Sequence, residues 1–201
     1  MELKTIVKDF SRFFKCPVAA FLLGVSVATG SAGTPDSDSA LIVPGDRIGQ
    51  TFLGANGAVT LKNLPPADAI DQGVSQTRQV WKSSKSGGLF DTLFIHTTSN
   101  SVIDAKPADG VTIDSIRITA SYFHTANGIS TGSEFEEIRR KFPNAASIDG
   151  TPTVYDDDKQ GIAFEFINGS LCIAIMVHPP GNSHIATQGE VASVLEEANE
   201  H

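Results

Sequence analysis

The chain has 201 residues, of which 40% are hydrophobic and 19% charged, a balance that excludes a disordered or fibrous protein. With 15 basic against 23 acidic side chains the formal net charge is −8, which argues against nucleic acid or an anionic membrane face as a partner.

Residues 1–32 read as a signal peptide. "MELKTIVKDFSRFFK" supplies Lys4, Lys8, Arg12 and Lys15, "CPVAAFLLGVSVA" follows without a charge, and "TGSAG" supplies small residues. The uncharged run Cys16–Ala28 is 13 residues, short of the ~20 that span a bilayer, so no integral span is expected in the mature chain. Cleavage near Ala28–Ala32 would leave 11 basic and 21 acidic side chains, a net charge of −10, in a periplasmic or secreted protein. Cys16 precedes the apolar run, so it is not placed as a lipid-attachment cysteine; Cys172 alone would remain, without a disulfide. Residues 33–40, "GTPDSDSA", read as a flexible lead-in.

The folded part is expected to start at Leu41, with a first unit over 41–125. "GANGAVTLKNLPPA" (54–67) reads as a degraded helix, weakened by Gly57 and Thr60, although "AVTLKNL" also fits a period of two. "TRQVWKSS", "GGLFDTLFIHT" and "VTIDSIRITASYF" then read as strands.

A second unit, 126–178, repeats that order. "GSEFEEIRRKFPNA" (132–145) predicts a short amphipathic helix: Ser133 and Glu136 fit a capping box, Phe135, Ile138 and Phe142 share a face, and Pro143 ends it. "TPTVYDDD", "QGIAFEFINGS" and "LCIAIMV" predict strands, with Asn-Gly at 168–169 as a hairpin signal. Alternation puts Ile162, Phe164 and Phe166 on one face, and Leu171, Ile173, Ile175 and Val177 on one face of the last strand. Cys172, Ala174 and Met176 make that strand's other face apolar too, which predicts a central strand covered on both sides, by the terminal helix or by a partner. Residues 179–201 read as a loop and a short helix with Val191, Val194 and Leu195 on one face. Gly54 and Gly132, Leu64 and Phe142, and Pro65 and Pro143 each lie 78 apart. The expected fold is therefore α+β: two tandem units, each a short helix packed on an antiparallel sheet of about three strands.

"GISTGSEFEEIRRKFP", "VYDDDKQGIAFEF" and "NGSLCIAIMV" together resemble the helix-then-antiparallel-sheet module of the BamE-type (SmpA/OmlA) outer-membrane lipoproteins. The pattern is also similar to beta-lactamase-inhibitor-like proteins, which carry two such modules in tandem, and the likeness covers roughly residues 44–178. The resemblance implies a non-catalytic protein of the cell envelope that binds another protein, in assembly or inhibition.

The chemistry-bearing residues carry no catalytic motif. His96, His124 and His178 sit near strand ends, where histidines can gather round a metal, but no HxH, HExxH or paired cysteines set a ligand spacing. Asp156, Asp157 and Asp158 lack the alternate spacing of a calcium loop and read as solvated turn residues. There is no GxSxG elbow, P-loop or GxGxxG. Cys172 in an apolar strand reads as an inert thiol. Trp81, Tyr122 and Tyr155 could anchor a binding surface, but core packing is expected of at least two of them. No cofactor, metal or catalytic residue is expected, and no binding residue is singled out. The alternative to a binding module is a secreted enzyme or metal-dependent protein using the strand-end histidines.

Overall fold

A computed structural model describes residues 39–84, 89–99, 110–181 and 185–198. The expected signal peptide, most of the lead-in and most of the loop expected between the second and third strands of the first unit lie outside the described residues.

The described residues begin with three short strands, β1 (Leu41–Val43), β2 (Arg47–Ile48) and β3 (Thr51–Phe52), followed by helix α1 (Gly57–Lys62). A meander of β4 (Ala69–Gln72), β5 (Gln76–Ser84), β6 (Phe90–Ser99) and β7 (Val111–Ile118) comes next. After β8 (His124–Thr125) and α2 (Phe135–Lys141) a second meander runs through β9 (Ala146–Ile148), β10 (Thr151–Asp157), β11 (Ile162–Ile167) and β12 (Leu171–Val177), and α3 (Gln188–Glu197) follows.

Here the structure corrects the expected architecture. The two meanders do not form separate units of a helix on about three strands. They merge into one eight-stranded antiparallel sheet, ordered β4-β5-β6-β7-β12-β11-β10-β9, with only three short helices among the described residues. The join is the β7–β12 pair, with Ile118 opposite Ile175, Arg117 opposite Met176 and Ile116 opposite Val177. β12 carries apolar side chains toward both faces, so it is stable only with a neighbour on either side and cover above and below; β7 turns Ile113, Ile116 and Ile118 to one core and places Ser115 and Arg117 among its other buried side chains. The extra strands, "AIDQ" and "ASI", are short and polar enough to escape a search for apolar alternation. A small second sheet, β3-β2-β1-β8, includes a parallel pair, β1 with β8.

One face of the large sheet packs Trp81, Leu93, Ile95, Ile116, Phe164 and Ile175 against α2 residues Ile138 and Phe142 and small-sheet residues Ile42 and Ile48. Tyr155 and Phe166 meet Phe135 of α2 edge-on at ring-centroid distances of 4.8 and 5.1 Å. The opposite face packs Val80, Phe94, Ala163 and Met176 against Val191 and Val194 of α3. The terminal helix thus supplies the second cover of the central strands.

The first helix exists: the Asn56 side chain accepts the Val59 N–H at 3.3 Å, which caps it. Its awkward Gly57 is buried where a Cβ would lie 2.9 Å from the Val111 side chain, so close packing explains the weak helix former. In α2 the predicted capping box is absent. The cap position is Glu134, without a side-chain bond, and the Ser133 hydroxyl accepts the Ser130 N–H instead at 3.2 Å. The reason is that residues 132–135 pair with the start of β12: Gly132 N–H donates to Cys172 O at 2.8 Å and Phe135 N–H to Ser170 O at 2.8 Å. A strand-like backbone seam does the work a capping side chain would have done.

Candidate functional site

β6 starts, β7 ends and β12 starts at the same end of the large sheet, because β7 is antiparallel to both neighbours. There the chain crosses between the two meanders and leaves a cleft with about 390 Å³ of open space.

A local irregularity in β12 shapes its lip. Glu165 pairs with Ala174 but Phe166 pairs with Cys172, so Ile173 is an extra residue on β12. The bulge reverses the expected alternation below it. Cys172 turns into the core beside Ile175 and Val177, while Leu171 turns outward. Leu171 is 43% exposed, and across the cleft Leu89 and Phe90 are 68% and 50% exposed. Lys82 Nζ stands 5.5 Å from the Phe90 ring centroid, a cation over an aromatic face.

The floor is polar and engaged with itself. Thr119 Oγ1 accepts the Thr92 N–H at 2.8 Å and lies 3.4 Å from Asp91 Oδ1. Thr131 Oγ1 donates to Thr119 O at 3.0 Å. The Cys172 thiol borders the cleft but donates to Ala174 O at 3.3 Å, and burial pushes its pKa up to about 12. No histidine lines the cleft among the described residues; its one carboxylate among the lining residues is Asp91, which faces the Thr119 hydroxyl. This arrangement can bind an apolar group and orient it with hydrogen bonds.

The candidate metal ligands are held apart, each in its own structural bond. His96 Nδ1 lies 2.5 Å from Asp114 Oδ1, with Nε2 3.3 Å from Gln76 Oε1. His178 Nε2 lies 2.9 Å from Asp156 Oδ1, and exposed His124 donates to Tyr122 O at 3.4 Å. Among the described residues no group of three or more His, Cys, Asp or Glu is placed to hold a metal. The aspartate run is not simply solvated, as expected, but divided among three tasks. Asp156 meets His178, buried Asp157 accepts the Gln160 N–H at 3.2 Å within the β10–β11 turn, and Asp158 accepts the Gly181 N–H at 3.1 Å. Trp81 and Tyr155 pack in the core, with Trp81 Nε1–H donating to Pro65 O at 2.7 Å. Tyr122 is exposed, with its hydroxyl 3.3 Å from Ser39 Oγ.

Sequence reasoning missed the cleft. Leu89 and Phe90 read there as ordinary strand residues, and the bulge that turns Leu171 outward depends on the partner strand. The face under α3 was missed as well. Arg117 donates to Glu165 at 2.6 Å and to Gln188 Oε1 at 3.1 Å. Arg78 pairs with Asp71 and with Glu190 of α3. Burial works to lower the Arg78 pKa, and its bonds to Asp71 and Glu190 outweigh that and hold it above the ordinary value. These pairs fasten the helix to the sheet.

Scans of protein-family models, curated proteins and solved structures returned no match to the chain. Among the described residues no helix is long and apolar enough to cross a membrane.

Proposed function

We propose that the protein is an exported, non-catalytic binding protein of the cell envelope, acting on another protein in assembly or inhibition. The observation that carries this reading is the lip of the cleft. Leu89, Phe90 and Leu171 present apolar surface to solvent over a floor where the Thr92, Thr119 and Thr131 hydroxyls already have protein partners. Such surface costs free energy while uncovered and recovers it when a partner covers it. The leader at 1–32 supports export, and the resemblance to BamE-type and beta-lactamase-inhibitor-like modules supports a protein as the partner.

The experiment is affinity capture from envelope extract with the mature chain, run beside a Leu171→Asp, Phe90→Ala double variant, with captured proteins identified by mass spectrometry. One reproducible partner, lost with the double variant, is the expected result. Capture that is the same for both chains would remove the cleft from the function, and absence of any reproducible partner would overturn the binding reading.

A further inference from the structure

His178 directly follows β12, with its ring buried between Asp156 of β10 and Pro179. Both ring nitrogens face oxygen atoms that can only accept. Nε2 lies 2.9 Å from Asp156 Oδ1, and Nδ1 lies 3.0 Å from the Pro179 carbonyl. A neutral imidazole has one N–H and can serve only one of them; the imidazolium serves both.

The surroundings make this a fixed joint. His178 N–H and Gly45 N–H both donate to Gly161 O, each at 3.1 Å, and Asp158 holds Gly181. The β1–β2 turn, the β10–β11 turn and the residues that follow β12 therefore meet at the Gly161 carbonyl, with the ring bonded to Asp156 and Pro179 beside it. We propose that His178 is a proton-operated fastener: as imidazolium it ties the residues that follow β12, and so α3, to the β10–β11 hairpin, and on losing its proton it loosens the tie.

The charges around it favour the loaded state. From β10 and its turn come Asp156 and Asp158, with Lys159 exposed at the tip. In the β1–β2 turn Asp46 and Arg47 pair with each other at 3.6 Å. On β7 the register carries His178 to Ser115, with Asp114, already engaged by His96 at 2.5 Å, one residue to one side and Arg117, paired to Glu165, two residues to the other. Burial opposes the ring's charge, but the bonds to Asp156 and Pro179 and the fields of Asp156 and Asp158 outweigh it, so the pKa stands above its ordinary value. The sign follows: a folded pKa above the unfolded one gives stability that is complete below pH ~6.5 and is lost as the pH rises through the folded pKa.

The test uses the full chain. The His178 Cε1–H resonance is titrated by NMR from about pH 5 to about pH 9, while melting temperature and α3 amide protection are followed over the same range. The expected midpoint lies above about 6.5, with melting temperature and α3 opening equilibria both weakening across it. His178→Asn is expected to lose that step, and Asp156→Asn to move the midpoint down. A midpoint at or below about 6.5 overturns the proposal, as does the same stability step in His178→Asn. If His178→Asn does not fold, Asp156→Asn decides by whether the midpoint moves. A melting step without any change in α3 protection overturns the fastening role.

Discussion

Arg117 and Glu165 meet at 2.6 Å on the face of the sheet that α3 covers, the guanidinium 1% exposed and the carboxylate 11%. The same carboxylate accepts the Gln188 N–H at 3.0 and 3.1 Å, where α3 begins. One acid therefore neutralises a buried cation and caps a helix. Breaking a buried pair from one side strands the other charge, which costs about 3 kcal/mol or more. Glu165→Leu is expected to lower stability by about that much and to expose α3 first, read by urea unfolding and amide exchange. Arg117→Met in the same chain is expected to return part of the loss, because it removes the stranded charge and a guanidinium Nη1 that is buried without a partner.

Gly161 has φ of 70°, and a Cβ there would lie 2.2 Å from the His178 carbonyl and 2.9 Å from Gly45 Cα. Gly54 has almost the same backbone, φ 69°, but nothing within 4 Å of a Cβ. Alanine at Gly54 is expected to cost about 1–2 kcal/mol, the left-handed penalty alone. At Gly161 it is expected to cost clearly more, because both atoms in the way are backbone. Denaturant midpoints of the two variants isolate the clash; equal losses would mean the joint around Gly161 yields easily.

These joints also mark where the sequence was readable. The spacing of Phe135, Ile138 and Phe142 located α2, the two apolar faces of β12 identified a central strand, and Val191, Val194 and Leu195 located α3, because each signal is contained in one segment. The merging of the meanders is not. It depends on β7 and β12, whose paired residues Arg117 and Met176 are far apart in the chain. The polar strands β4 and β9 leave no periodic trace. The site was less legible than the fold, because Leu171 reaches its lip only through the bulge at Ile173, and a bulge is a property of two strands together.

Cys172 gives a chemical check on that bulge. It places the thiol in the core, where burial raises the pKa to about 12 and leaves almost no thiolate near neutral pH. In a Cys16→Ser background, reaction with a disulfide reagent at about pH 8 is expected to be slow in native protein and to follow the unfolding curve in urea. Fast native labelling would mean that the alternation runs through Ile173 unbroken and that Cys172, not Leu171, faces the cleft.

Leu171 then separates stability from binding. At 43% exposure it contributes little to the core, so Leu171→Asp is expected to change unfolding free energy by less than about 1 kcal/mol. A side chain at the centre of a partner interface typically carries about 2 kcal/mol or more of binding energy, a loss of roughly thirtyfold in affinity. Calorimetric binding of whatever partner is captured, beside thermal melts of the same preparations, reads both quantities. A variant that melts normally and binds at least about thirtyfold more weakly places the partner on the bulged end of β12. Normal melting with unchanged affinity would put the partner elsewhere, because a charged carboxylate at the lip cannot be buried against an apolar group without a cost of that size.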